Sequence, residues 1–237
     1  MTGPKQGSVP AAPWAKSGRL RLCPSVLSAD FARLGDEIAR VERAGADFLH
    51  VDVMDGQFVP NLTFGPMLVE AMHRLTKLPL DVHLMIADPL RFLEDFASAG
   101  ADHLTLHIEV LSDPRSAASV VRARGLRAGL SIKPATPVER LIDLLPVIDI
   151  ALLMTVEPGA GGQAFLPDSP ARIARLREAI VAGGHDCLLQ VDGGITAETA
   201  PVAARAGADT FVAGHSIFRT PDPDAAMRRI RQILVKP

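Results

Sequence analysis

A chain of 237 residues, 48% apolar and 22% charged, can build one substantial core, and its formal net charge of −2 offers no basic surface for nucleic acid or an anionic membrane. No apolar run approaches the roughly 18 residues needed to cross a bilayer, so no membrane partner is expected. Cys23 and Cys187 are far apart and form no CxxC pair, which suits small buried hydrophobes in a reducing, cytoplasmic setting and argues against a disulfide framework.

Residues 1–18 stand apart. Pro4, Pro10 and Pro13, with Gly3 and Gly7, interrupt any signal-peptide core, and the expectation is a disordered extension carrying the only tryptophan, Trp14. Residues 19–237 form the domain. Short apolar runs then alternate with amphipathic segments. The first strand is expected over 20–25, followed by a helix to Ala44 with Ser28, Ala29 and Asp30 at its cap. Strand two covers 48–53, and after a loop marked by Pro, Asn and Gly comes a helix over 65–76. Strand three is 80–85, and its helix, 89–99, has Pro89 in the first turn. The fourth pair is 103–107 and 114–124, and the fifth is 127–132 and 138–145. Strand six, 150–154, leads through a glycine-rich loop into a helix over 169–182. The seventh pair is 187–192 and 196–206. Strand eight is 210–213, and a helix over 224–234 closes the domain.

Ala-Gly-Ala-Asp occurs at 44–47, 99–102 and 206–209, each time between a helix and a strand, with 124–127 a looser version. The glycine suits a left-handed helix end that feeds directly into the next strand. Eight β/α units in about 215 residues predict an α/β fold, a single (β/α)8 TIM barrel. An open doubly wound sheet is the runner-up, weakened because no GxGxxG follows the first strand.

Chemistry in such barrels sits at the C-terminal ends of the strands. A strand has a side-chain period of two, so His50 and Asp52 face the same way while Val51 and Val53 face the other. His83 in strand three and Asp192 at the end of strand seven join them on one rim. Each alone reads as structural; together, two imidazoles and two carboxylates make a candidate site for Zn, Mn, Fe(II) or Co. A second constellation is rich in glycine. Gly159, Ala160, Gly161 and Gly162 after strand six, Gly193 and Gly194 after strand seven, and Gly214 and His215 after strand eight form an arc where backbone N–H groups can approach a phosphate. His107 and Glu109 follow strand four at the same rim, and His107 reads as structural or as a support behind the ligands. His73, His103 and His185 read as ordinary surface or loop residues.

These residues fall in motifs that resemble the ribulose-phosphate 3-epimerase family from about Leu22 to Arg231. They are Pro24 to Phe31, His50 through Gly65, Asp81 to Met85, Met154 to Gly159, Val191 to Gly194, and Val212 to Gly214. The resemblance implies a ribulose-phosphate-binding barrel of the pentose phosphate pathway, interconverting D-ribulose 5-phosphate and D-xylulose 5-phosphate. It implies one divalent metal ion on His50, Asp52, His83 and Asp192, with Asp52 and Asp192 as the proton carriers. Ser25 and His83 would contact substrate, and the sulfurs of Met54, Met85 and Met154 would lie beside the reacting carbons. It also implies a homo-oligomer. Two positions depart from the usual family pattern: Ala160 replaces an aromatic, and His215 replaces Ser or Thr.

The residue types fit this chemistry. Epimerising carbon 3 of a 2-ketose phosphate removes a proton beside a carbonyl and returns one to the opposite face, which needs two acid/base groups and a Lewis acid for the enediolate. Two alternatives stay open at this point: an epimerase of D-allulose 6-phosphate, and a non-catalytic barrel that binds phosphosugars.

Overall fold

In the computed structural model, which describes residues 18–235, eight parallel strands form the wall of a barrel. They are β1 (Arg21–Pro24), β2 (Leu49–Met54), β3 (Leu80–Met85), β4 (His103–His107), β5 (Arg127–Ile132), β6 (Ile150–Met154), β7 (Leu188–Asp192) and β8 (Thr210–Ala213). The hydrogen-bonded order β1-β8-β7-β6-β5-β4-β3-β2 leaves one seam, between β1 and β2. There the Asp47 N–H donates to the Leu22 carbonyl (3.0 Å), and Ser25 bridges to His50 in parallel. The ring is thereby closed, and the open sheet is excluded. The expected extension and Trp14 lie outside the described residues.

The helices are α1 (Leu34–Arg43), α2 (Pro66–Leu75), α3 (Leu93–Ala99), α4 (Pro114–Ala123), α5 (Glu139–Ile142), α6 (Ser169–Ala182), α7 (Ala200–Ala206), α8 (His215–Phe218) and α9 (Pro223–Val235). Several differ from expectation at their starts. Asp30 caps a 3-10 turn, Phe31–Arg33, before α1 begins, and another 3-10 turn, Pro89–Phe92, precedes α3. The segment before α7 is a turn tied by the hydroxyls of Thr196 and Thr199, which compete with the helix for backbone N–H groups. The short helix α8 was not anticipated, because the glycine-rich segment around it read as loop.

The repeated Ala-Gly-Ala-Asp segments share one geometry. Gly45, Gly100 and Gly207 all have positive φ, at 95°, 99° and 112°, which an L-residue resists. The aspartates have a role that spacing did not suggest. Asp47, Asp102 and Asp209 accept the backbone N–H of Leu22, Leu80 and Leu189 at 2.8, 2.9 and 3.1 Å. Each aspartate N–H donates back to the carbonyl of that same leucine. Asp149 does the same for Ala128 without the glycine. These paired bonds stitch each strand's start to its neighbour at the end of the barrel away from the candidate site.

Inside the barrel, Cys23, Phe48, Ile150, Leu188 and Val212 form an apolar plug. Both cysteines are buried and free. Residues outside the strands' inner faces join the larger core between sheet and helices. Above the plug the inward-facing residues turn polar, and the strand register stacks them in rungs. His50 stands level with Asp81, and Asp81 with His103; two residues on, Asp52 stands level with His83, and His83 with Thr105. Period two along each strand and direct register between strands therefore carry the chemistry to one end of the barrel.

Candidate metal and acid/base site

His50, Asp52, His83 and Asp192 come together as the sequence anticipates: one donor atom from each lies within 4.8 Å of the others. The two imidazoles are completely buried, and the Asp52 and Asp192 side chains are 6% and 15% exposed. Asp52 Oδ1 lies 3.3 Å from both His50 Nε2 and His83 Nδ1, and Asp192 Oδ2 lies 3.9 and 3.7 Å from the same nitrogens. Ser25 donates from its hydroxyl to the other oxygen of Asp52 at 2.5 Å.

Each imidazole is held from behind. His50 Nδ1 is 2.9 Å from Asp81 Oδ2, which also accepts from Gln190 Nε2 at 2.6 Å. A carboxylate can only accept, so Nδ1 carries a proton and Nε2 is the nitrogen turned to the site. Burial opposes a second proton there, but the charges of Asp52 and Asp81 outweigh it and raise His50 well above the usual imidazole range, so a bound cation would take that proton's place. That nitrogen is buried and has no hydrogen-bond partner, an expensive arrangement that a bound cation would resolve. A histidine oriented by a carboxylate behind it is a common support for a metal ligand. The residues present therefore fit a divalent ion. His83 is held by a second chain: its Nε2 is 3.0 Å from His107 Nε2, and His107 Nδ1 is 3.2 Å from Glu109 Oε2.

The two acids are driven apart. Burial works to raise Asp52, but the charge of His50 and its hydrogen bond outweigh it and hold the carboxyl well below the usual carboxylate range. Burial, reinforced by the negative charge of Asp52, pushes Asp192 up to about 7. One carboxylate is thus ready to accept a proton while its neighbour retains one near neutral pH. Burial pushes His107 down to about 4. Glu109 is held at about 2 because hydrogen bonds from His107, Thr136 and the Lys133 N–H outweigh its burial.

Over the two carboxylates opens a cavity of about 200 Å³. Ser25, Asp52, Asp192 and the three methionines, Met54, Met85 and Met154, line its floor. Its wall holds the whole glycine arc, Gly159 through Gly162, Gly193, Gly194, Gly214 and His215. His50 and His83 lie beneath the floor and do not line it, so among the metal set only the carboxylates reach the cavity. The arc is cross-braced. Thr155 donates to the Asp192 and Gly193 carbonyls, Thr199 to Gly194, and Ser216 to Ile195. Asn61 ties the loop after β2 to the Gly159 carbonyl at 2.9 Å. Gly194 has a φ of 66°, and a Cβ there would stand 2.4 Å from the Phe165 backbone nitrogen. Only glycine fits.

Three supporting residues escaped the sequence. Asp81 and Gln190 are fully buried behind His50, and their inward placement was readable only as period two within a strand. His103 is not a surface residue. It is 4% exposed, meets Phe48 edge-on, and lies 3.8 Å from Asp81.

Fold and site together define a (β/α)8-barrel enzyme with a candidate divalent-metal centre under a glycine-walled cavity. The profile of the Ribulose-phosphate 3 epimerase family matches residues 21–218. A ribulose-phosphate 3-epimerase of Mycobacterium bovis is 47% identical over 211 residues, covering 89% of this chain and 91% of that protein. One from Bacillus subtilis is 46% identical over 213 residues, covering 90% and 98%. The fold is shared with orotidine 5'-phosphate decarboxylase from Pyrococcus horikoshii, at a TM-score of 0.68 and 17% identity over 91% of this chain and all (100%) of that one. The chain belongs to the ribulose-phosphate 3-epimerase family, and is an isomerase of the carbohydrate-phosphate epimerase kind. Among the described residues no helix is long and apolar enough to cross a membrane.

Proposed function

We propose that the protein interconverts D-ribulose 5-phosphate and D-xylulose 5-phosphate by moving protons at carbon 3 between Asp52 and Asp192. The observation that carries this is the placement of two carboxyls, each with a donor atom within 4.8 Å of the other's, at the floor of a single cavity lined by the glycine arc. Their opposite displacements in the metal-free protein support it.

His50 Nε2, His83 Nδ1, Asp52 and Asp192 would hold one divalent ion, with Zn, Mn, Fe(II) and Co all compatible with the donors. Such an ion supplies a Lewis acid for the substrate's carbonyl oxygen and lowers the cost of charge developing in the enediolate. Asp52, ionised, takes the carbon 3 proton as the C–H electron pair moves into the enediolate. Asp192, protonated, returns a proton to the opposite face. One turnover leaves Asp52 protonated and Asp192 ionised, which is the state required to run the other epimer back. The buried sulfurs of Met54, Met85 and Met154 keep the reacting carbons away from water.

Among the described residues no Lys or Arg lines the cavity, so the phosphate would be held by backbone N–H groups of the glycine arc with the ring of His215 beside them. Ser25 would orient substrate while its hydroxyl holds Asp52. Self-association belongs to the same proposal: Leu62 and Met67 are 77% and 84% exposed, and contact with a second copy would cover such groups.

A coupled assay comparing D-ribulose 5-phosphate with D-allulose 6-phosphate tests the substrate, and the expected result is a strong preference for the pentose. Preference for the hexose would overturn it. Absence of turnover with either, in protein carrying stoichiometric metal, would favour a binding barrel instead.

A further inference from the structure

We propose that Glu109 is a positioning residue for the metal site: acting through His107, it fixes His83 in the tautomer whose Nδ1 presents a free lone pair. The inference rests on the metal reading above and concerns residues outside the four donors.

The direction of every bond in this chain follows from its far end. Glu109 Oε1 accepts from the Lys133 N–H at 2.8 Å and from the Thr136 hydroxyl at 2.5 Å. Its other oxygen, Oε2, faces His107 Nδ1 at 3.2 Å. An ionised carboxylate has no proton to give, so His107 Nδ1 must be the donor. In a neutral ring that leaves His107 Nε2 as an acceptor. His83 Nε2, 3.0 Å away, must then be the donor, and His83 Nδ1 keeps its lone pair toward the site. The two rings meet edge to edge with their planes 28° apart and centroids 5.0 Å apart, Phe58 packs against His107, and both imidazoles are fully buried, which restrains them.

The constraint has something to oppose. Asp52 Oδ1 lies 3.3 Å from His83 Nδ1, and by itself this carboxylate would draw a proton onto Nδ1, which would disable it as a ligand. Asp81 and Glu109 thus play parallel parts for the two histidines. Asp81 touches His50 directly and exposes Nε2, whereas Glu109 works through an intervening imidazole and exposes Nδ1 of His83. The extra ring is what changes the nitrogen that is presented.

Glu109→Gln gives a sharp test because it alters no shape. The Lys133 and Thr136 donors hold an acceptor at the Oε1 position, so the amide oxygen belongs there and the NH2 group is turned on His107 Nδ1. His107 then carries its proton on Nε2, against His83 Nε2, and His83 is driven to the Nδ1–H tautomer that cannot bind an ion. Glu109→Ala instead leaves an opening at the partly exposed rim, where water can serve either tautomer.

Zinc affinity measured against a chromophoric chelator should therefore fall in the order wild type, Glu109→Ala, Glu109→Gln, with the last weaker than wild type by about 10- to 100-fold. Long-range proton–nitrogen NMR of the metal-free proteins should show His107 protonated on Nδ1 in wild type and on Nε2 in Glu109→Gln, with His50 protonated on Nδ1 in both. A merely space-filling role predicts the reverse order, since Gln replaces Glu without loss of volume. In a second pair, His107→Gln can keep the same polarity and should retain most of the affinity, while His107→Leu should lose about tenfold or more. Zinc binding by Glu109→Gln at least as tight as by Glu109→Ala, or an unchanged His107 tautomer, would overturn the proposal. Failure of the wild-type protein to bind zinc would overturn the metal reading instead, and the proposal with it; that failure is distinguishable because it does not depend on residue 109.

Discussion

Replacing Asp192 by asparagine should separate proton exchange from epimerisation. The amide keeps an oxygen among the donors and, on the proposed mechanism, removes the proton carrier from one face of the substrate. General acid/base groups contribute about 10²- to 10⁴-fold, or about 2.7–5.5 kcal/mol of barrier. On the proposed mechanism this loss falls on one face, because Asp52 remains ionised, buried and held by Ser25 at 2.5 Å. Asp192→Asn should therefore lower epimerisation in both directions by that factor. The epimer whose carbon 3 hydrogen faces Asp52 should still exchange it with solvent, and the other epimer should not. Asp52→Asn should give the mirror image. Proton NMR of each epimer in D2O reads the exchange, a coupled assay reads the epimerisation, and metal content is matched across the proteins. Equal losses of exchange and epimerisation for both epimers in both variants would refute the two-acid reasoning.

Further outcomes follow from the supports of the site. Asp81→Asn removes the charge that holds His50 Nδ1 and should weaken zinc binding by about 10- to 100-fold, read by chelator competition, with the barrel still folded by circular dichroism. Asp192 also makes the metal-free protein pH-sensitive. Its folded pKa of about 7 lies above the ordinary 3.8, so its contribution is full below about pH 4 and is lost as pH rises through 7. Denaturant titrations should show wild type losing on the order of a few kcal/mol relative to Asp192→Asn between pH 4 and 8; an unchanged difference would count against the shift. Gly194→Ala imposes a left-handed φ on an L-residue, costing about 1–2 kcal/mol before its clash with the Phe165 backbone. It should destabilise the protein in denaturant and raise KM more than it lowers kcat.

Much of this protein could be read along the chain. All eight strands agree with expectation to within a residue at each end, because buried parallel strands are short apolar runs with hydrophilic punctuation between them. The starts of α1 and α7 were less legible, since a carboxylate and two hydroxyls near them hold tighter turns first, and α3 is likewise preceded by a 3-10 turn. His103 misled for a related reason: a polar residue opening a strand looks like the edge of a loop until its neighbours are known.

What the sequence determined by itself is the alternation that makes the barrel and the period-two placement of His50 with Asp52, properties that depend only on residues close together in the chain. The tertiary structure alone decided which nitrogen of each histidine faces the site, that burial and the Asp52 charge push Asp192 up, and that Asp47, Asp102 and Asp209 stitch the opposite end. Apart from the His50–Asp52 and His107–Glu109 pairs, each two residues apart, these depend on a hydrogen bond or a charge a few ångströms away in space and 20 or more residues away in sequence, from Leu189 and Asp209 (20 apart) to Asp81 and Gln190 (109 apart). Hydrogen bonds and desolvation act over contact distances, and only the closed ring of strands sets those distances.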